Sequence, residues 1–153
     1  MATPTGGYNL QRASTATSTA LVMAQVWAPA ATAIECTRAY ANQGSSTTSG
    51  GVEIATGKAT AAGTGTSATP TFVGQMQASR CTGSTTTTQI NQTIAGTFAN
   101  SLDIAGVNVL NGYLYFPVPE ARPIVMGANG VCVRTVTSPA SVNMYAGIDF
   151  LEY

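Results

Sequence analysis

Acidic side chains are the first candidates for chemistry, because general acid–base catalysis needs two carboxyl groups in one cleft, with their pKa values held apart. Glu35 and Glu53 both lie on predicted strands with small neighbours, and they could meet across a sheet. We expect them instead to face solvent, or to pair with Arg38 or Arg12. The chain therefore offers no catalytic carboxyl pair at these positions.

Two further acidic residues lie near the end of the chain. Asp149 and Glu152 fall on the outward side of the last predicted strand. A neighbouring arginine such as Arg134 would be a simple cross-strand partner for them. We therefore expect them to form surface ion pairs and to take no part in catalysis.

The three cysteines are the next candidates, as nucleophiles or as metal ligands. Cys81 follows Arg80, which could lower the pKa of its thiol, but the chain has no histidine to act as its base. The wide spacing excludes a CxxC zinc motif. We expect buried free thiols, with a Cys36–Cys132 disulfide as the open alternative.

Phosphate, cation and nucleic-acid motifs are also missing. Residues 63–66 read Gly-Thr-Gly-Thr, but they lack the Gly-Lys-Ser/Thr ending of a phosphate loop, and Lys58 precedes them. The two aspartates, Asp103 and Asp149, are too far apart for a calcium loop, and the five arginines form no basic stripe. The sequence therefore predicts no catalytic, cofactor-binding or metal-binding residues, no nucleic-acid binding and no enzyme activity.

Charge is scarce throughout the chain. It has 153 residues, of which 8% are charged, and six basic residues balance six acidic ones. This length fits one domain. A free monomer with zero net charge and few charges repels its copies only weakly and tends to associate, so we expect a homo-oligomer or a fixed assembly. A secreted or surface protein solvated by Thr, Ser, Asn and Gln is the alternative.

The clearest structural signal is alternation of apolar residues with a period of two. In the last segment, alternate positions from 142 to 150 are apolar, which predicts a long strand with one face on a core. These positions are Val142, Met144, Ala146, Ile148 and Phe150. Upstream, residues 122–136 predict a hairpin that turns at Asn129-Gly130, and Asn111-Gly112 predicts a second turn between strands. Prolines 117, 119 and 123 predict a bend or loop.

The earlier segments give weaker signals. Residues 19–28 are apolar at both parities and predict a buried strand, with a short helix as the alternative. Residues 32–40 predict a strand that carries Ile34, Cys36, Arg38 and Tyr40 on one face. Residues 88–98 predict one strand and residues 52–54 a short one, while 72–73 are a weaker candidate.

These elements predict one all-β domain. The fold expected is an antiparallel β-sandwich of jelly-roll type, with about eight strands and long Ser/Thr/Gly-rich loops. Residues 1–18 are polar and show no pattern, so we expect an extended N-terminal arm, followed by a single sandwich domain over residues 19–153. The beginning of the chain does not resemble a signal peptide, and residues 20–33 are too short and interrupted to span a bilayer, so we expect no membrane association.

The last third of the chain resembles small β-sandwich proteins in the structural modules of tailed bacteriophages. The matching residues are Gly-Tyr-Leu-Tyr-Phe-Pro-Val-Pro-Glu at 112–120, then 123–125, 130–134 and 145–152, with residues 34–40 and 62–66 resembling the earlier part of the pattern. The resemblance carries no catalytic motif. It implies a virion structural protein assembled in the host cytoplasm, of the head decoration or cement type, whose partners are the major capsid protein and neighbouring virion subunits. The expected contacts are the arm and the small-residue loops.

A binding module of a different class is the alternative function. A receptor- or carbohydrate-binding sandwich on a phage tail or a cell surface would carry an exposed aromatic patch. Tyr40, Tyr113 and Tyr115 are its candidate residues.

Overall fold

The structure is a computed structural model, which describes residues 6–17, 21–44, 50–72, 86–94, 97–137 and 142–153. This part of the chain contains twelve strands, more than the eight or so expected. They are β1 (Gly6–Thr17), β2 (Val22–Trp27), β3 (Ala33–Gln43), β4 (Gly51–Ala61), β5 (Thr64–Ser67), β6 (Thr71–Phe72), β7 (Thr87–Ile94), β8 (Thr97–Asn108), β9 (Tyr113–Tyr115), β10 (Ile124–Met126), β11 (Gly130–Thr135) and β12 (Val142–Glu152). A single 3-10 turn, Pro119–Ala121, lies between β9 and β10.

The strands form two antiparallel sheets packed as a sandwich. The first sheet has the order β10-β3-β12-β1-β6, and β9 also pairs with β3; the second has the order β5-β7-β2-β11-β4-β8. The chain passes back and forth between the sheets, and four strands of each form its jelly-roll part: β1, β3, β10 and β12 in the first sheet and β2, β4, β8 and β11 in the second. This interleaving of two four-stranded sets confirms the predicted jelly-roll-like sandwich. The strands β5 to β7 raise the count, because they fold from the segment between β4 and β8.

The core lies between the sheets and is filled by alternate side chains of each strand. All five predicted apolar positions of β12 are buried, from Val142 to Phe150, which confirms that strand and its buried face. Five successive residues of β2, from Val22 to Val26, are buried. Residues 22–27 therefore form the buried strand that was predicted in preference to a helix.

The N-terminal arm expected over residues 1–18 is not an arm over Gly6–Thr17. These residues form β1, which pairs with β12 along its length and with β6 on its other side. The Tyr8 ring stacks on Phe150, with ring centroids 5.4 Å apart. Arg12 is only 1% exposed, and its guanidinium donates to the Met144 carbonyl at 2.7 Å. Polar composition hid this strand, while residues 1–5 and 18 lie outside the described part.

The single face predicted for β3 is also wrong beyond Cys36. The register against β12 slips by one residue at this point, because Phe150 faces Cys36 and Asp149 faces Arg38. Such a bulge reverses the parity of every following side chain. Ile34 and Cys36 therefore point inward, whereas Arg38 and Tyr40 point outward, and Ala39 and Ala41 continue the buried face.

The hairpin predicted over residues 122–136 turns where expected, but it does not pair with itself. β10 pairs with β3 in the first sheet, whereas β11 pairs with β2 and β4 in the second. The positive φ angles fall at Gly127 (61°) and Ala128 (59°), ahead of the predicted Asn-Gly pair. Asn129 closes the turn, since its side-chain amide donates to the carbonyl of Met126 at 2.8 Å. The turn residues therefore predicted that the chain reverses here, but they did not predict that β10 and β11 belong to different sheets.

Three further strand predictions differ from the structure in their bounds. The single strand predicted over residues 88–98 is two strands, β7 and β8, and residues 52–54 belong to the much longer β4. The weak candidate at 72–73 overlaps β6 at Phe72, while residue 73 lies outside the described part.

Candidate functional site

The most distinctive surface lies where β9 and β10 run end to end along the same side of β3. The register places Leu114 opposite Tyr40 and Ile124 opposite Glu35. Both strands have only three residues, so alternate side chains point to the core and to the outside. Tyr113 and Val125 are the buried members of this pair of strands.

The outward side chains of this segment are large and apolar. Six of them, between 56% and 67% exposed, occur between residues 110 and 126: Leu110, Leu114, Phe116, Val118, Ile124 and Met126. We call these six residues the apolar strip. Single exposed apolar residues are common, whereas contiguous exposed apolar patches are typical of interaction surfaces. Sequence reasoning missed the strip.

A close turn at Gly112 lies between Leu110 and Leu114 of the strip. Gly112 has φ of 71°, and a Cβ there would collide with the Asn42 side chain and lie 3.3 Å from the Ala41 carbonyl oxygen. Only glycine fits this close turn without strain. The prolines that follow β9 lie in the predicted loop, which includes the 3-10 turn.

The middle of the strip is held by a polar cluster around Glu35. Its carboxylate accepts from the Arg122 guanidinium at 3.1 Å and from the Tyr153 hydroxyl. The hydrogen bond to Glu35 raises the pKa of the Tyr153 hydroxyl. Glu35 therefore pairs with Arg122 and not with the expected Arg38 or Arg12, and this pair ties the loop to the C-terminal residue.

The two sequence candidates for acid–base chemistry lie in different sheets. Glu35 belongs to β3, whereas Glu53 belongs to β4. Glu53 is exposed, and exposure to solvent was one of the two outcomes predicted for it. No group of three or more His, Cys, Asp or Glu side chains that could hold a metal occurs among the described residues. Of residues 63–66, which the sequence analysis rejected as a phosphate loop, residues 64–66 belong to the strand β5.

The acidic residues of β12 do not pair with Arg134 as predicted. Asp149 instead accepts from Arg38 Nε at 2.7 Å, because β3 and not β11 is the neighbour of β12. Glu152 is buried rather than outward. Arg134 lies over the Phe98 ring, 4.5 Å from its centroid.

A shallow groove of about 560 Å³ opens beside Leu114 and is lined by Arg38, Tyr40, Asn42 and Asn111. The Tyr40 ring lies on Gly147, where a Cβ would overlap it, and the Arg38 guanidinium sits 5.0 Å from the ring centroid. The Tyr40 ring therefore already packs against Gly147 and Arg38, and the groove is also lined by the amides of Asn42 and Asn111.

The other tyrosines proposed as an exposed patch are not exposed. Tyr113 is 3% exposed and its hydroxyl donates to Asp103 Oδ2 at 2.9 Å. Burial raises the pKa of the Tyr113 hydroxyl, and burial likewise raises the pKa of the half-buried Tyr115. The buried Tyr113 therefore offers no free ring face of the kind that binds a sugar, and Tyr115 is only partly accessible.

The cysteines match the predicted buried free thiols where they are described. Cys36 and Cys132 are buried and unpaired with each other, and they lie in different sheets. Burial raises the pKa of both thiols to about 12. The open alternative of a Cys36–Cys132 disulfide is therefore wrong, and Cys81 lies outside the described residues.

Within the described ranges, no helix is long and apolar enough to cross a membrane. Comparisons with protein-family models, with curated proteins and with solved structures gave no match to this chain.

Proposed function

We propose that this chain is a structural protein of a virion, a decoration or cement protein that binds the major capsid protein through the apolar strip. The observation that carries the proposal is the strip itself, which is a set of six exposed apolar side chains on a sandwich with very few charges. The jelly-roll-like pairing and the resemblance of the C-terminal third to phage structural proteins support the same class of function.

The physical mechanism is apolar contact repeated at many symmetry-related sites. Full burial of one large apolar side chain contributes about 1.5–3 kcal/mol, so burying several of the strip residues offsets part of the entropy lost on docking. Neighbouring copies would add to this through multivalency on a shell that presents many equivalent sites.

The charge distribution suits such close spacing. The formal net charge is zero, so copies bound side by side do not repel each other strongly. Binding dominated by apolar contact is screened little by salt, unlike binding through exposed ion pairs. The proposed docking should therefore persist at high ionic strength.

The test is co-sedimentation of the purified chain with undecorated phage capsids at low and at high salt. We expect saturable binding at a fixed number of copies per capsid, with an affinity that changes little with salt. Binding that does not saturate, or no binding, would contradict the proposal.

A second candidate function is recognition of a receptor saccharide at the groove beside Leu114. The observation in its favour is the convergence of the Asn42 and Asn111 amides with Arg38 around a shallow depression. Amides and arginine suit sugar hydroxyls, but the contacts of Tyr40 with Gly147 and Arg38 limit stacking on its ring. Glycan binding by the isolated chain, lost in Asn42→Ala and Asn111→Ala variants, would favour this function over capsid docking.

A further inference from the structure

The strand β8 forms one edge of the second sheet and is the longest edge strand in the described part. It runs for 12 residues, and among the described strands it pairs with β4 alone. An edge strand presents unpaired backbone groups that can accept another strand. The question is which chemistry would cover this edge.

The direction of the backbone groups follows from one hydrogen bond. The Val109 N–H donates to the Gly50 carbonyl at 2.9 Å, immediately beyond the β4–β8 ladder. In an antiparallel pair, hydrogen-bonded and non-bonded positions alternate. Residues 103, 105 and 107 therefore bond to β4, and the N–H and C=O groups of Ile104 and Gly106 point to the open edge.

β8 carries only two of the usual protections of an edge strand, which are an inward charge at Asp103 and register shifts on the N-terminal side of Asp103. Natural edge strands are often protected by lysine, proline or an inward charge. The twelve residues of β8 include no proline, lysine or arginine, and Asp103 is their single charged residue. The Asp103 carboxylate is turned toward the other sheet, where it accepts from the Tyr113 hydroxyl. Asp103 is thus the one inward charge on β8, and its hydrogen-bond partner Tyr113 belongs to its own chain.

On the exposed face of β8, the large side chain of Ile104 lies two residues from Gly106, which has no side chain. Ile104 is 54% exposed. A Cβ built on Gly106 would meet nothing within 4 Å. A shallow depression lined by Gly51, Glu53 and Gly106 lies beside this position, and the exposed Glu53 is the β4 residue opposite Gly106. Residues two apart in a strand lie on the same face, so the Ile104 side chain and the open space over Gly106 are neighbours on this face.

We propose that a second copy of this chain pairs with β8 in an antiparallel, two-fold symmetric manner, with Ile104 of each copy opposite Gly106 of the other. In this register the outward backbone groups of Ile104 and Gly106 exchange both hydrogen bonds, and the two-fold axis repeats the exchange. Each Ile104 side chain covers the open space over the other copy's Gly106.

The same register avoids unfavourable contacts. Asp103 faces Val107 of the second copy, so the two carboxylates do not oppose each other, and Ala105 faces its own symmetry mate. A self-complementary strand of this kind favours a second copy over an unrelated strand. The result is one continuous sheet built from the second sheets of both copies.

The first test is light scattering on the purified full-length chain during size-exclusion chromatography, across a concentration series and without capsids. We expect a mass twice the 15.5 kDa of the chain. Ile104→Lys should convert the dimer to monomer, because it places a charge at the centre of the pairing. Thr66→Lys, which adds the same charge at an exposed position of β5, should leave the dimer intact.

Gly106→Pro is a second variant that removes an outward N–H and should also give monomer. Circular dichroism checks that each variant keeps the sandwich, and Ile104→Lys suffices if the proline variant fails to fold. Amide exchange should show Ile104 and Gly106 protected in the wild type and exchanging freely in Ile104→Lys. A monomeric wild type, or a dimer that survives the Ile104→Lys change, would overturn the inference. Neither result bears on capsid co-sedimentation, so the two proposals can fail separately.

Discussion

The Tyr113 hydroxyl lies 2.9 Å from the Thr56 hydroxyl, and this contact joins the two sheets through a buried hydrogen bond. Tyr113 belongs to β9 in the first sheet, and Thr56 belongs to β4 in the second. Since the same hydroxyl donates to Asp103 on β8, one side chain connects three strands. The contact anchors the short strand that carries Leu114, and so it fixes the apolar strip to the sandwich.

Tyr113→Phe should destabilise the protein by about 2 kcal/mol, because it leaves the buried Thr56 hydroxyl and the Asp103 carboxylate without this partner. Urea unfolding followed by circular dichroism measures the change. Tyr145→Phe is the matched control, since Tyr145 is 40% exposed, and it should stay within about 0.5 kcal/mol of the wild type. Equal stability of the two variants would contradict this role for Tyr113.

The buried thiols predict a loss of stability in alkali. Burial raises the pKa of Cys36 and Cys132 from 9.0 to about 12, so the folded chain keeps two protons that the unfolded chain releases in this range. The stability that the two protonated thiols contribute to the folded chain is fully present below pH 9 and is lost as the pH rises toward about 12. Urea midpoints across this range should fall less steeply in a Cys36→Ala/Cys132→Ala variant. Parallel slopes in the two proteins would refute the prediction.

Gly147 lies beneath the Tyr40 ring, and an added methyl group has no room there. A Cβ at this position would overlap the ring and approach the Leu10 carbonyl oxygen to 2.8 Å. Gly147→Ala should therefore cost about 1–3 kcal/mol through overpacking. Gly51→Ala is the control, because a Cβ at Gly51 meets nothing within 4 Å. The midpoint of thermal unfolding is measured for both variants. A Gly147→Ala midpoint equal to that of the wild type would contradict the close packing of Gly147 against Tyr40 and Leu10.

Deleting residues 2–18 should abolish folding rather than release a dispensable arm. The deletion removes β1, which pairs with β12 and β6 and buries Tyr8, Leu10 and Arg12. Far-ultraviolet circular dichroism and thermal melting of the truncated chain test this. A truncated chain that melts cooperatively near the wild-type temperature would restore the arm interpretation.

The predictable parts of the fold are the strands whose local sequence pattern alone indicates which residues are buried. β12 alternates without interruption from Val142 to Phe150, and every residue of β2 except Gln25 is apolar, so the pattern of these two strands agrees with their burial. β1 escaped prediction because its buried face includes Arg12, whose guanidinium is satisfied by the Met144 carbonyl. A buried arginine of this kind looks like a solvent-facing residue in the sequence.

The remaining errors arise from long-range pairing. The bulge between Cys36 and Arg38 depends on the partner strand, and no residue type at this point announces it. The turn at residues 127–129 reports a reversal, but it does not reveal that β10 and β11 enter different sheets. The apolar strip was missed for the same reason, because outward placement of Leu114 and Ile124 follows from pairing with β3.

The most direct test of the central claim compares capsid binding by the wild type with that of a Leu114→Lys/Phe116→Lys variant. Both positions are exposed, so the variant should fold normally while placing two charges in the apolar strip. Thr66→Lys is again the control on the other sheet. Our account predicts that the strip variant no longer co-sediments with undecorated capsids, whereas the control binds like the wild type. Unchanged binding by the folded strip variant would contradict the claim that the strip is the docking surface.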